Sequence, residues 1–224
     1  MSRTVGSKPK TVRPAASPKP VEREGRPPIE AIRTAAFKQF AERGYPVVTV
    51  RDIMRACGLT QGALYNHFKS KDELLHDIIA STQAELERLC QHAVTEAGDD
   101  PRAQLAAFVR VYVVRHCRMR IEALVANREI GWLDAERLAD IRRSRRVIRD
   151  ILVAILTRGV EKDVFDPPQI DGRRELIAQA MALLDQCTHV SMWYAPGQRL
   201  SEEQMAKLYA DIALRSVGAK PVAV

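Results

Sequence analysis

The segment from Thr49 to Leu75 constrains the fold of this chain more than any other, because it reads as two short helices joined by a tight turn. Apolar residues recur at helical spacing through the first helix, and Thr49 can cap its first turn with a side-chain oxygen. Gly58 follows where a helix commonly ends in a left-handed residue, which glycine adopts at little cost. Thr60 is then expected to cap a second helix, from Gln61 to about Phe68.

The second helix has one apolar and one polar side. Leu64 and Phe68 lie one turn apart and are expected to anchor the helix inward. The opposite side carries four residues that are expected to be exposed: Gln61, Gly62, Tyr65 and Asn66. Gly62 costs the helix about 1 kcal/mol relative to alanine, which is reasonable where a large partner must come close. Two interpretations are open from these residues: a helical hairpin that only packs, or a surface presented to a partner.

A third, long helix is expected to begin directly after this pair. Ser70 and Glu73 form the S-x-x-E pattern of a capping box. Lys69 and Lys71 flank the helix start, and a lysine beside the backbone amides of a helix N-terminus suits a phosphate group.

The whole stretch resembles the DNA-binding domain of TetR-type transcription regulators. The positions that match the family pattern in register are Gly58, Leu59, Thr60, Gly62, Leu64, Tyr65, His67, Phe68, Ser70, Lys71, Asp72, Leu74 and Leu75. The preceding helix agrees with the pattern too: Ile32, Ala36, Phe37 and Phe40 line one face, and residues 41–45 close it. Met54 and Cys57 depart from the pattern, because the family more often has small residues there.

The resemblance implies that the helix from Gln61 to Phe68 is a recognition helix in the DNA major groove. It implies DNA contacts for Thr60, Gln61, Gly62, Tyr65, Asn66 and His67. Gln61 would face base edges, since a glutamine can pair bidentately with adenine. Thr49 and Lys71 resemble phosphate-clamping positions, which set register but read no sequence. For His67 the alternative is an aromatic core position beside Phe68.

Positive charge is confined to the N-terminal third of the chain. The net charge is +5 in residues 1–27, +3 in residues 28–70 and −1 in residues 71–224. This polarity suits a DNA-facing end joined to a neutral remainder. Residues 1–27 hold five of the twelve prolines and no helical period, so we expect a disordered basic tail, either an inert leader or an arm that strengthens DNA affinity.

The rest of the chain shows only helical patterns. Helices are expected over about 71–97, 101–118, 121–133, 136–162, 171–194 and 201–217, with Asp171 and Ser201 as N-caps. We therefore expect an all-α protein of about nine helices in three parts. These are the tail (1–27), a three-helix helix-turn-helix DNA-binding domain (28–75), and a larger helical ligand-binding and dimerisation domain (76–218).

The last two helices are predicted to form a homodimer interface, because members of the resembled family pair these helices across a twofold axis. The predicted interface residues are Leu184, Cys187, Val190, Ser191, Tyr194, Leu208, Tyr209 and Ile212. A dimer would read two half-sites, so a palindromic operator is expected. The alternative is that these faces belong to the core of a single subunit.

The middle helices would enclose a cavity for a small-molecule effector in this family. Arg142, Arg146 and Arg149 share one helix face at i, i+4 and i+7, and such a stripe suits a carboxylate or phosphate. The alternative is a solvated face paired with nearby acids. The Trp193–Gly197 segment and the turn at Gly159–Phe165 resemble a TetR subgroup with members that sense acyl-CoA thioesters and other lipid-derived molecules.

No enzyme, cofactor or metal site is predicted. There is no nucleophile in a recognisable context, no HExxH, no CxxC pair and no phosphate-cradling glycine loop. Asp185, Cys187 and His189 alternate within a helix, so they do not converge on a metal. No membrane span is expected, and the scattered cysteines are expected to be reduced in a cytoplasm. A rival to the DNA-binding regulator is a helical adaptor or architectural protein whose hairpin binds a protein partner.

Overall fold

The computed structural model describes residues 28–221, and over this range the chain is all-helical, as predicted. Nine α-helices follow in order: α1 (Pro28–Arg43), α2 (Val50–Ala56), α3 (Gln61–Tyr65), α4 (Lys71–Glu96), α5 (Pro101–Arg118), α6 (Arg120–Arg128), α7 (Ala135–Glu161), α8 (Leu176–Trp193) and α9 (Glu202–Ser216). A 3₁₀ turn (Ile130–Trp132) lies between α6 and α7. The predicted tail, residues 1–27, falls outside the described residues.

Helices α1 to α3 and the start of α4 enclose a small core, which makes this part the head of the molecule. Phe40, Ile53 and Leu64 are fully buried there, and α4 adds Leu74 and Leu75. Helices α6 and α7 and the segment between them add further apolar side chains to the same core: Val125, Ala126, Leu133 and Ile141. The hydrophobic contacts of the head therefore cross the domain boundary predicted at residue 75, and that boundary stays a prediction.

The larger part of the molecule is built around α5. This helix packs against α4, α7, α8 and α9, so its apolar residues lie at the centre of a second core. Phe108, Leu152, Ile155 and Val190 are among the side chains buried in that core. The long helix α4 runs from the head core into this second part, and it joins the two physically.

Several helix starts are confirmed at the level of single hydrogen bonds. Thr49 forms a complete capping box with Asp52, and Ser201 forms one with Gln204 at the start of α9. The carboxylate of Asp100 caps α5 in front of Pro101. Each of these signals is local in sequence, which is why it could be recognised without the fold.

The structure corrects three predictions in the head. Helix α3 ends at Tyr65 and not near Phe68, because the N–H of His67 bonds to the carbonyl of Leu64 three residues back and tightens the last turn. Thr60 occupies the N-cap position, but its side chain makes no capping hydrogen bond. Ser70 caps α4 as predicted, whereas the Glu73 carboxylate accepts from the N–H of Lys69 at 2.6 Å, outside the expected box.

Two further helix boundaries are corrected in the larger part. Helix α8 begins at Leu176, not at Asp171, because residues 170–173 form a tight turn closed by two 2.9 Å backbone hydrogen bonds between Ile170 and Arg173. Asp171 has a φ of +51° in that turn, which no α-helix allows. The helix predicted over 121–133 is divided into α6 and the 3₁₀ turn.

Gly159 lies in α7 where the ring of the buried Phe165 packs directly on the backbone, and a Cβ atom there would overlap the ring. We expect Gly159→Ala to lower the free energy of unfolding by about 1–3 kcal/mol through overpacking, measured by urea denaturation. Gly131→Ala is the matched control, since nothing lies within 4 Å of a Cβ at that position. Equal stability of the two variants would contradict this account of the contact.

Candidate nucleic-acid interface and ligand cavity

The turn between α2 and α3 is closed by the backbone around Gly58. Gly58 has a φ of +70°, and the N–H of Leu59 bonds to the carbonyl of Met54 at 2.9 Å. This is the geometry that glycine permits after a helix. The turn sets α3 at a defined angle to α2, and Leu64 and Phe68 hold α3 on the core as predicted.

The outer side of α3 and the residues that flank it form an exposed surface, which we call the α3 surface. Its members are exposed as predicted: Thr60, Gln61, Gly62, Tyr65, Asn66 and His67. Tyr65 is 61% exposed, and a Cβ at Gly62 would meet only the Thr60 hydroxyl, at 4.0 Å. The chain itself therefore needs no glycine at that position for packing. His67 is not the core residue that was considered as an alternative.

The two predicted phosphate contacts, Thr49 and Lys71, are both engaged within the subunit. The Thr49 hydroxyl donates to the Asp52 carboxylate at 2.7 Å. The Lys71 ammonium donates to the carbonyls of Tyr45 and Val48, both at 2.9 Å, and lies 4.1 Å from the centroid of the Tyr45 ring. Burial lowers the pKa of Lys71. Lys71 thus holds the loop between α1 and α2 in place, and its contact with a phosphate stays a prediction.

The head carries other exposed cations, of which only Lys69 was noted from the sequence. Arg51 and Arg55 on α2 and Lys69 before α4 are exposed, and none makes an ion pair with another described residue. The sequence shows the positive charge of this region, but it does not show which of the cations remain without an ion pair. Together with the α3 surface they give one end of the head a positive, solvent-facing character.

A cavity of about 380 Å³ lies in the larger part between α4, α5, α6, α7 and α8. Apolar side chains form much of its wall, including Leu86, Ile148 and Leu184. Five arginines also line it: Arg115 from α5, and Arg142, Arg145, Arg146 and Arg149 from α7. The structure thus brings all three arginines of the predicted stripe to one cavity.

The arginines differ in how they are paired. Arg142 and Arg146 are exposed and make no ion pair with any residue from 28 to 221, whereas Arg149 bonds to the neighbouring Asp150 at 2.6 and 2.9 Å. Arg143 pairs with Asp140 and does not line the cavity. The alternative to a ligand site was a solvated helix face whose arginines pair with nearby acids. That alternative describes Arg143, and it describes Arg149 in part.

Arg145 is half-buried and was missed in the sequence. Its guanidinium donates to the Asn127 side chain at 2.9 Å and to the Ala126 carbonyl at 3.2 Å, both on α6, and burial lowers its pKa. The sequence contains a pattern that includes Arg145, because Arg142, Arg145 and Arg149 also share a helix face at i, i+3 and i+7. Spacing alone could not decide between this face and the predicted one.

The predicted dimer residues divide into two groups. Those on α8 and just beyond it are buried inside the single subunit, so that part of the prediction is corrected: Leu184, Cys187, Val190, Ser191 and Tyr194. On α9, Leu208 is 44% exposed, and Tyr209 and Ile212 are partly exposed. The side that α8 presents to solvent carries other apolar residues towards its two ends, Ile177, Met181, Met192 and Trp193, with Asp185, Gln186 and His189 exposed between them.

Within residues 28–221, no three His, Cys, Asp or Glu side chains come close enough to hold a metal ion. The four cysteines are unpaired, and three of them, Cys90, Cys117 and Cys187, are buried. In the same range, no helix is both long and apolar enough to cross a bilayer.

An exposed helix-turn-helix joined by one long helix to a cavity-bearing helical domain defines the class of ligand-responsive DNA-binding regulators. Two family descriptions match the chain: "Bacterial regulatory proteins, tetR family" over residues 32–78, and "Tetracyclin repressor-like, C-terminal domain" over residues 98–217. The protein belongs to the TetR family, as the sequence resemblance implied.

Individual relatives support the same assignment. The chain is 30% identical over 177 residues to the HTH-type transcriptional repressor KstR2 of Rhodococcus jostii, covering 78% of this chain and 83% of that protein. A tetR-family regulatory protein from Rhodococcus RHA1 is 28% identical, with a TM-score of 0.76 over 86% of this chain and 98% of its own. The fold also matches AibR in complex with isovaleryl coenzyme A and operator DNA, at 22% identity and a TM-score of 0.72, covering 86% of this chain and 99% of that one.

Proposed function

We propose that this protein is a transcriptional repressor that binds a palindromic operator as a homodimer and releases it when an acyl-CoA thioester or related lipid-derived anion occupies the cavity. The observation that carries the proposal is the course of α4. This helix contributes Leu74 and Ile78 to the head core beneath α3, and Gln83 and Leu86 to the cavity wall. A ligand that moves α4 in the cavity therefore moves the head that carries the α3 surface.

The α3 surface is the part that enters the major groove in this proposal. Gln61, Tyr65 and Asn66 contact base edges, and Gly62 lets the backbone approach the DNA closely. Thr60, His67 and the third N–H of Lys71 bind phosphates, assisted by the unpaired cations Arg51, Arg55 and Lys69 on the same head.

The second copy of the chain covers the exposed apolar faces of α8 and α9. Met192 and Trp193 are 61% and 50% exposed in the single subunit, and Leu208 adds to this surface from α9. Large apolar side chains grouped on neighbouring helices mark an interaction site. A twofold pair of such surfaces holds two heads at one spacing, as a palindromic operator requires.

The effector class follows from the lining of the cavity. Five arginines and one acid, Asp185, line the cavity, and of the arginines Arg115 pairs with Glu85 and Arg149 with Asp150. The remaining three arginines favour an anion, and the apolar wall favours a hydrocarbon body. A CoA thioester has both parts, and the structural neighbour AibR was solved with isovaleryl coenzyme A. In this proposal Arg142 and Arg146, which have no ion-pair partner among the described residues, bind the phosphates.

Arg145 offers a route from the cavity to the head. It holds α6 through Asn127, and the next residue, Arg128, donates to the carbonyls of Phe40 and Ala41 at the end of α1. An anion that competes for Arg145 weakens the hydrogen bonds between Arg145 and α6. This favours the head arrangement that does not fit the operator. The effector must bind that state more tightly for release to occur.

The proposed role needs no catalytic step, and it assigns the protein to the cytoplasm, where chromosomal DNA and CoA thioesters occur together. The adaptor alternative differs in its response to salt. Operator binding through phosphate contacts weakens steeply as salt rises, with a large ratio of specific to non-specific affinity.

The arginine stripe is tested with Arg142→Ala and Arg146→Ala combined. We expect affinity for isovaleryl-CoA and decanoyl-CoA, measured by calorimetry, to fall by about 10-fold to 100-fold for each charge-assisted hydrogen bond that the substitutions remove. Arg143→Ala is the matched control, since this arginine pairs with Asp140 outside the cavity. If the double variant binds both thioesters as the parent protein does, the assigned anion site is wrong; if the parent protein binds neither, the effector class is wrong.

A further inference from the structure

Two polar side chains inside the cavity are almost fully buried and make no hydrogen bond to any other described residue through the groups that face it. Gln83 on α4 is 8% exposed and His116 on α5 is 7% exposed, and both line the cavity. The Gln83 amide makes no side-chain hydrogen bond, and the His116 ring is bonded through one nitrogen only, to a backbone carbonyl. Buried polar groups normally have partners, because an unmet one is destabilising.

The orientation of His116 follows from its bonded nitrogen. Its Nδ1–H donates to the carbonyl of Tyr112, one turn earlier in α5, at 2.8 Å, and its ring stacks on the Tyr112 ring at 4.4 Å. The other edge of the ring, which carries Nε2, is therefore directed away from its own helix. Burial lowers the pKa of His116 to about 4, so the imidazole is neutral near pH 7 and Nε2 carries a lone pair.

Several other polar groups of the interior already have partners, whereas the Nε atom of Arg115 is buried and makes no hydrogen bond to any described residue. The Tyr112 hydroxyl and the Thr188 hydroxyl bond to each other at 3.0 Å, and the Thr82 hydroxyl donates to the Ile78 carbonyl at 2.9 Å. Around them the wall is apolar. The unmet capacity of Gln83 and His116 is thus one acceptor, on His116, together with one amide that can donate and accept, on Gln83, and the Nε of Arg115 adds a donor.

A hydroxyl group matches this capacity, because it donates one hydrogen bond and accepts others. A ketone or a thioester oxygen only accepts, so it would leave Nε2 of His116 unpaired. A saturated chain would leave both groups unpaired. We propose that the hydrocarbon body of the effector carries a hydroxyl group that donates to Nε2 of His116 and accepts from the side-chain amide of Gln83. This inference rests on the proposed function, since it concerns the occupant of the same cavity.

The test compares probes that differ only in this group. Binding of decanoyl-CoA, 3-oxodecanoyl-CoA, 3-hydroxydecanoyl-CoA and 10-hydroxydecanoyl-CoA to the full-length protein is measured by calorimetry. We expect at least one hydroxylated probe to bind about 10-fold or more tightly than decanoyl-CoA, since a site built for a hydroxyl discriminates against analogues that lack it. The oxo probe should not share this advantage.

Variants then locate the preference. In Gln83→Met and in His116→Phe we expect the hydroxyl preference to fall below about 2-fold, while decanoyl-CoA binds as well or better. Arg146→Ala is the contrasting variant, in which affinity for every thioester falls but the preference remains. Thermal unfolding without ligand checks that each variant is folded, and the ranking of probes by the unaltered protein stands independently of the variants.

The outcomes separate this inference from the proposed effector class. Equal binding of the hydroxylated and plain thioesters overturns the inference and leaves the thioester proposal standing. If no thioester binds, decanoic acid and 10-hydroxydecanoic acid are compared in the same way. A hydroxyl preference that disappears in both variants then supports the inference without CoA, and its absence in the unaltered protein overturns it.

Discussion

Gln61→Ala combined with Tyr65→Ala is expected to abolish sequence-specific operator binding while the protein stays folded and dimeric. Both side chains lie on the exposed α3 surface, so their removal leaves the head core unchanged. Each good base contact contributes about 1–3 kcal/mol of discrimination, and a dimer makes each contact twice. We therefore expect affinity for the operator to fall at least about 100-fold, to the level of binding to random DNA.

The measurement is a gel shift on an operator fragment that the unaltered protein selects from random DNA, with the oligomeric state followed by light scattering. Lys38→Ala is the control on the head. This exposed lysine is on α1 and lines a groove that faces α5 and α6, not the α3 surface. The control should bind the operator as before. A double variant that still distinguishes operator from random DNA would show that another element reads the sequence.

Trp193→Glu combined with Leu208→Glu is expected to convert the dimer into monomers. Both side chains belong to the apolar faces of α8 and α9 and are half exposed in the single subunit. Two carboxylates per subunit, four in the dimer, would be desolvated on association, which the interface cannot compensate. Loss of the second head removes the bivalent contribution to operator affinity, about 10² to 10⁴-fold.

The matched control is Val147→Glu, which places the same charge at an exposed apolar position on α7, at 40% exposure. It should remain dimeric and bind the operator normally. Mass by light scattering and operator affinity by gel shift are measured on the same samples. A dimer that survives the double substitution would assign the interface to another surface, and a monomer with unchanged operator affinity would remove the need for a dimer.

Signals that act over three or four residues were read correctly from the sequence. The Thr49 cap, the left-handed Gly58 and the Ser201 capping box each depend on neighbouring atoms of the same segment. Asp171 shows where such reading fails. Its side chain is suited to an N-cap, but the backbone pairing of Ile170 with Arg173 had already committed that segment to a turn.

The choice between the two faces of α8 could not be made from the sequence. Leu183, Leu184 and Val190 lie on one side and Ile177, Met181, Met192 and Trp193 on another, so large apolar residues occur on both sides of the helix, with the exposed polar residues Asp185, Gln186 and His189 between those of the second set. A hydrophobic period indicates a buried face only when the opposite face is polar. The packing of α8 against α5 and α7 buries the first set and leaves the second set exposed, with Met181 at the cavity.

The sequence by itself determined the all-helical fold, the helix-turn-helix and the exposed α3 surface, because each depends on periodicity and capping within short segments. Only the tertiary structure decided what Lys71 holds and that Arg145 holds α6. It also decided that Gln83 and the Nε2 edge of His116 face one cavity with no hydrogen-bond partner among the described residues. Gln83 shares an apolar face of α4 with Ile79 and Leu86, and His116 shares an apolar face of α5 with Val109 and Tyr112. A polar residue on an apolar helix face is visible in a sequence. Which groups of other helices lie opposite it is decided only when folding brings those helices together.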